Sequence, residues 1–322
     1  MKAVIARAFA PLDQLAYGDW PEPEAKGDGV VIAAEAIGVN YPDGLLVQGL
    51  YQMKPPVPFV PGMEVAGRVI AAGSKVQSIK VGDRVAALTV IGGYAEKVAF
   101  PETMAMKLPD AMSAADACAL ICGYGTSHHA LKQRGQLEQG ETLCVLGAAG
   151  ATGVAAVQIG KAMGAKVIGV ASSPQKQRIA AEAGADIVLG YDNLKDALKE
   201  ITGGKGVDVG FDPVGGDAFE ALARAMGWNG RLLVIGFASG TIPKLAVNLT
   251  LVKGFSVVGV YWGDFTVREP QTYAGNMREL VDWYLAGKVK PVIEGVYPLA
   301  DAASVLKRVL GRGASGKLIL KP

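Results

Sequence analysis

Imidazole and thiol are scarce here: two histidines, His128 and His129, and three cysteines in 322 residues. A tetrahedral zinc site draws its ligands from such groups at short, regular spacing, and no such spacing occurs. The histidines are adjacent and point apart on a helix, so no metal is expected. Cys118, Cys122 and Cys144 sit in apolar sequence and make an odd count, which fits buried thiols of a reducing compartment better than a disulfide framework. Charge of one sign is also missing. Thirty-two basic residues stand against 30 acidic ones, interspersed, for a net +2, which excludes the basic stripe of a nucleic-acid binder or of a protein held on an anionic membrane. No apolar run approaches the roughly 20 residues of a membrane span. Met1-Lys2-Ala3-Val4-Ile5 enters a strand with no leader, so a cytoplasmic protein is expected.

Glycine and apolar residues are plentiful, 43 of the former within a sequence that is 50% hydrophobic. That profile suits a glycine-turned α/β protein, and the length suggests two domains. The chain is organised around residues 142–171. Leu143 to Leu146 is a short apolar run of the kind buried on both faces of a parallel sheet. Gly147-Ala148-Ala149-Gly150-Ala151-Thr152-Gly153 is a turn with glycines three apart, followed by a helix to Ala162 and a second apolar strand from Lys166 to Ala171. Strand, glycine turn, helix and strand make the βαβ unit that seats a dinucleotide pyrophosphate, since free N–H groups and the helix dipole face the turn. Against the strict pattern of three glycines, Ala148 stands in the first place, so φ there must be negative and the turn slightly altered. An NAD enzyme places an acid after the second strand for the ribose hydroxyl. Here Ser172-Ser173-Pro174-Gln175-Lys176-Gln177-Arg178 offers hydroxyls and cations instead, which favours NADPH. The plainer alternative for Lys176 and Arg178 is a solvated helix face.

Residues 1–122 read as a rolled, mainly β domain. Short runs at 30–33, 65–71 and 85–88 are separated by Gly, Pro and Asp turns. From Ser113, a plausible N-cap, to Leu131 the pattern is helical, and the domain boundary is placed at 122/123. Strands at 186–189, 207–211, 231–235 and 256–260 alternate with helices at 175–183, 193–202 and 217–226, completing a six-stranded doubly wound sheet over 123–262. Residues 263–322, with helices at 273–286 and 300–309 and a closing strand at 316–320, are expected to return to the first domain.

Several short stretches carry a family resemblance: Gly38-Val39-Asn40-Tyr41-Pro42-Asp43, Gln48-Gly49-Leu50-Tyr51, Pro61-Gly62-Met63-Glu64-Val65-Ala66-Gly67, Gly82-Asp83-Arg84-Val85, the glycine turn, Phe211-Asp212-Pro213-Val214-Gly215-Gly216 and Gly316-Lys317-Leu318-Ile319-Leu320. In this order the chain resembles zinc-independent medium-chain dehydrogenases/reductases, in the quinone oxidoreductase group that includes zeta-crystallin. The resemblance implies a Rossmann domain for the cofactor and a GroES-like catalytic domain that is discontinuous in sequence. Zinc-dependent relatives supply a cysteine and a histidine where this chain has Asn40 and Met63, and an amide with a thioether does not hold zinc.

Without a metal, hydride from NADPH must go to an acceptor that tolerates negative charge. A quinone does so unaided, while an enone or enoyl thioester needs a proton donor as well. The resemblance offers Tyr51 as that donor, or else as a plain cofactor contact. It places Asn40 and Asp43 near the nicotinamide, against the alternative of an Asx turn closing the strand. Cofactor contacts are implied for Asn40, Tyr51, Thr126, Ala149, Gly150, Ala151, Thr152, Gly153, Ser172, Lys176, Tyr191, Gly236, Phe237, Ala238, Tyr261 and Trp262. Asp212 more often orders its loop than does chemistry. An NADPH-dependent quinone reductase is the first reading, a reductase of activated C=C bonds the second, and a non-catalytic NADPH-binding protein the third. The strand at 256–260 lies at the sheet margin and invites a homodimer.

Overall fold

In the computed structural model, which describes residues 1–322, the chain forms two units, residues 1–122 with 293–322 and residues 123–292. The first is built on a seven-stranded sheet. Its order is Ile293–Pro298, Lys317–Lys321, Gly29–Val39, Glu64–Ala72, Arg84–Leu88 and Ala105–Lys107, with Lys97–Pro101 also paired to Gly29–Val39. Pairing is antiparallel except between Ile293–Pro298 and Lys317–Lys321, which the helix Ala302–Leu310 connects. Register shifts between Val31 and Ile32 and between Ala34 and Ala36 bend the long strand Gly29–Val39. The sheet therefore rolls around a core that includes Val30, Ile32, Ile37, Val65, Val85, Tyr94, Phe100, Leu318 and Leu320.

The second unit is a six-stranded parallel sheet ordered Ile187–Leu189, Lys166–Val170, Thr142–Leu146, Val207–Asp212, Met226–Val234 and Ser256–Gly259. In chain order that is 3-2-1-4-5-6, the arrangement of a dinucleotide fold. The strands Thr142–Leu146 and Lys166–Val170 are buried on both faces beyond their first residue, as their apolar runs require. The fifth strand starts at Met226, earlier than the expected 231, with Asn229 in the left-handed region. The helix before it is Gly216–Ala225.

The stretch expected to be helical from Ser113 to Leu131 is so and begins as foreseen, with the Asp116 N–H donating to Ser113 Oγ at 3.0 Å. It then alternates α-helix with π-helical turns at Leu120–Tyr124 and Ala130–Arg134. The return to the first unit comes at Ile293 rather than 263. The helices Trp262–Arg268 and Pro270–Leu285 stay with the second unit because their polar groups are satisfied there. Glu279 lies 2.9 Å from His128 Nε2, Asn276 Oδ1 accepts from Gln133 Nε2 at 2.9 Å, and the Phe265 ring stacks on His129 at 3.7 Å between centroids. An amphipathic pattern says that a helix buries a face, not against which neighbour. No helix is long and apolar enough to cross a membrane.

Candidate functional site

In the first unit the strand Gly29–Val39 runs into Asn40, and Pro42 lies in the first turn of the helix Tyr41–Val47. Asn40 stands at the cap position, but its side chain serves elsewhere. Its Oδ1 accepts from Lys317 Nζ at 2.7 Å, while its Nδ2 is buried without a hydrogen-bond partner. Lys317 is 2% exposed and forms an ion pair with Glu64, which is 0% exposed. The other Glu64 oxygen accepts the Cys122 N–H at 2.9 Å. Space for this carboxylate exists because residue 38 is glycine, where a Cβ would fall 1.8 Å from Glu64 Oε1. Burial opposes the charge on Lys317, yet the Glu64 carboxylate, with Cys122 and Asp43 adding to it, holds the ammonium above its ordinary pKa. Burial and the same carboxylate push the Cys118 and Cys122 thiols up.

Asp43 has no exposed surface, and its carboxyl group is engaged by its own helix and by Tyr94. Its Oδ2 accepts the Asn40 N–H at 2.8 Å and the Tyr94 hydroxyl at 3.0 Å, closing the helix's first turn. Burial pushes its carboxyl up to about 7, against the pull of the Asn40 N–H, Lys317 and Tyr94. Tyr94 is fully buried, its ring laid on Gly62, where a Cβ would lie 2.2 Å away from it. Tyr51 is half-buried beside Ala6, Leu46 and Phe59, and Met63 is half-buried.

In the second unit the expected cofactor residues follow the carboxyl ends of successive parallel strands, where ligands of open α/β sheets bind. The three glycines of the first turn divide the work. Gly147 takes φ +61° for the tight turn, a duty assigned in the sequence to the next position, where Ala148 is not among the residues of positive φ. Gly153 lets helix meet strand, since a Cβ there would lie 2.1 Å from the Gly147 carbonyl oxygen. Gly150 is needed for neither purpose. Its φ is −78°, and a Cβ would meet nothing nearer than 3.4 Å. The open space above Gly150, at a helix N-terminus with no side-chain cap, is what a pyrophosphate occupies, so the residues fit a dinucleotide.

Around this turn, Ser127 Oγ donates to the Thr152 carbonyl at 2.8 Å, binding the segment that carries Thr126 to the start of the helix Ala151–Ala162. Tyr191, expected beside an adenosine phosphate, uses its hydroxyl to accept the Gly147 N–H at 3.0 Å and so braces the turn. After the second strand Ser172 is exposed, and Ser173 caps the next helix by accepting the Lys176 N–H at 3.3 Å. Asp212 accepts the N–H groups of Val214 and Gly215 at 2.7 and 2.9 Å, holding its loop as expected. Gly236, Phe237 and Ala238 are half-buried after the fifth strand, and the Ala238 N–H donates to the Pro213 carbonyl at 3.0 Å. Tyr261 is exposed, whereas Trp262 is buried edge-on against Tyr273.

Sequence reasoning missed the partnership of Glu64, Lys317 and Tyr94 with Asn40 and Asp43. The available signal was a lysine before the apolar run Leu318 to Leu320, and a glutamate opening another strand.

Residues 26–110 match the family described as alcohol dehydrogenase GroES-like domain, and residues 151–283 match that of the zinc-binding dehydrogenases. The chain is 39% identical over 296 residues to a quinone oxidoreductase-like protein 2 homolog of Nematostella vectensis, covering 90% of this chain and 81% of the relative. It is 33% identical over 302 residues to the human quinone oxidoreductase, covering 92% and 90%. Among solved structures it is similar to the Escherichia coli quinone oxidoreductase complexed with NADPH, with a TM-score of 0.92 and 28% identity over 100% of both chains.

Proposed function

Because this chain belongs to the quinone oxidoreductase family of medium-chain dehydrogenases/reductases, we propose that it is an NADPH-dependent reductase that delivers hydride to a quinone without a metal. The turn over Gly150 carries the reading, since it leaves backbone donors and open space at a helix N-terminus where the protein itself needs neither. When bound, NADPH supplies the hydride. Ala149 to Gly153 hold its pyrophosphate by backbone N–H groups, and Ser172 with Lys176 receive the ribose phosphate. Thr126, Gly236, Phe237, Ala238 and Tyr261 line the nicotinamide half, with Trp262 behind them. Asn40 and Tyr51 meet the nicotinamide end and the acceptor. Asp43 holds the backbone of Asn40 in place.

The metal-free character rests on the donor set. Of the two positions that furnish zinc ligands in relatives, one is the Met63 thioether, and at the other the Asn40 oxygen is already engaged by an ammonium group. A quinone needs no such help, because its oxygens take up the charge and water can protonate them. Free, buried thiols at Cys118, Cys122 and Cys144 accord with a cytoplasmic setting.

Tyr51 supports a second reading, reduction of activated C=C bonds, since it is a half-buried tyrosine, a residue type able to donate a proton. NADPH oxidation with 1,4-benzoquinone and with crotonyl thioester separates the two. Tyr51→Phe is expected to leave quinone turnover within about threefold and to lower enoyl reduction about 100-fold. Tight NADPH binding without turnover on either acceptor would instead favour a non-catalytic role.

The edge strand Ser256–Gly259 supports a homodimer. Exposed apolar side chains gather about it, with Leu251 82% and Trp228 74% exposed and Trp228 packed beside Gly254.

A further inference from the structure

An asparagine amide has two faces of nearly equal shape and opposite hydrogen-bonding sense, so a free Asn40 offers a ligand either an acceptor or a donor. Asn40 is not free. The Lys317 ammonium has three donors and no acceptor, so the amide facing it must present Oδ1, and the 2.7 Å contact is of that kind. The remaining atom, Nδ2, is buried and has no partner. A buried donor left unmatched by the protein is one that an acceptor on a ligand can satisfy.

We propose that Lys317 is a positioning residue that locks the Asn40 amide in one orientation, making Asn40 an obligate donor to an oxygen of the bound cofactor or of the electron acceptor. The deduction rests on the reductase reading, because the ligand oxygen comes from one of those two molecules. An oxygen that can accept matches this donor, whereas an N–H or ammonium at the same place does not.

The lock is held from behind. Lys317 keeps its proton in the interior because Glu64 neutralises it, and Glu64 is itself held by the Cys122 N–H at 2.9 Å. Gly38 leaves the carboxylate its space. The sequence of contacts is therefore Cys122 backbone, Glu64, Lys317, Asn40, and only the last member reaches a ligand. A lysine serving stability alone would need the carboxylate but not the amide.

The test measures NADPH affinity by fluorescence, and kcat and KM for 1,4-benzoquinone. Asn40→Asp keeps the contact with Lys317 and removes the donor. It is expected to lower either NADPH affinity, if the oxygen is the cofactor's, or kcat/KM for the quinone, if it is the acceptor's, by about 100-fold. Glu64→Gln with Lys317→Met removes both charges together and lets the amide turn. This paired variant is expected to melt near the unaltered protein and yet lose most of the same quantity, and to lose no more than about threefold further on an Asn40→Ala background, as residues acting through one another are non-additive. Should it fail to fold, Lys317→Arg, which still only donates, is expected to retain activity, and Lys317→Gln, which offers both faces, to lose it.

An Asn40→Asp enzyme with unchanged affinity and turnover overturns the proposal. So does a folded paired variant with ordinary kinetics, losses that multiply on the Asn40→Ala background, or equal activity of the Arg and Gln variants. An unaltered protein that neither binds NADPH nor reduces any acceptor removes the reductase reading itself, whereas normal turnover in the paired variant removes only the role of Lys317.

Discussion

With its carboxyl pushed up to about 7 by burial, Asp43 stays protonated in the fold at pH values where the unfolded chain ionises it. Between the unfolded value near 3.8 and about 7, the unfolded state is the one that has lost the proton, so raising the pH favours unfolding. Above that window both states are ionised and the cost is constant. Asp43→Asn presents the same shape without the charge, and its carbonyl can accept from Asn40 and Tyr94. It is expected to stabilise the protein by about 2–4 kcal/mol at pH 8 and by progressively less toward pH 4, as thermal melts across that range would record. Destabilisation at pH 8 would instead mean that Asp43 is ionised and well paired in the fold. At this scale the sequence was only partly legible. Asn40 and Asp43 stood out only through the family resemblance carried by Gly38 to Asp43, the residue pattern alone suggesting no more than an Asx turn. Glu64 and Lys317 did not, because a lysine at the start of a strand reads as a surface residue until its partner strand is known.

Among the elements, the glycine turn separates fold from ligand by position. Gly153→Ala drives a methyl into the Gly147 carbonyl 2.1 Å away and is expected to cost about 1–3 kcal/mol in denaturant unfolding. Gly150→Ala meets no such obstacle at its φ of −78°. It is expected to leave stability nearly unchanged while weakening NADPH binding about tenfold or more, because the methyl stands where the backbone must approach phosphate. Equal stability losses in the two variants would contradict this division. The six parallel strands were readable because apolar runs bounded by glycine have little other use. Which unit claims the helices Trp262–Arg268 and Pro270–Leu285 was not readable, since that depends on distant partners such as His128 and Gln133.

For the whole molecule, the exposed apolar residues beside the edge strand bear on assembly. Leu251→Asp with Val252→Asp is expected to convert the proposed dimer to a monomer in sedimentation at micromolar concentration, with melting of the monomer little altered, because both side chains are exposed in the isolated chain. The two-domain plan was visible from the change of pattern near residue 122, while the late return at Ile293 was not. That return bears on how the protein is made. Glu64 leaves the ribosome early, while the ammonium group that neutralises it sits on Lys317–Lys321, beyond the entire second unit in chain order. The nascent first unit must therefore wait, its strand Gly29–Val39 lacking one neighbour and its carboxylate still solvated, while the nucleotide-binding unit can already fold behind it. Translation thus delivers the whole second unit before the strand that completes the first.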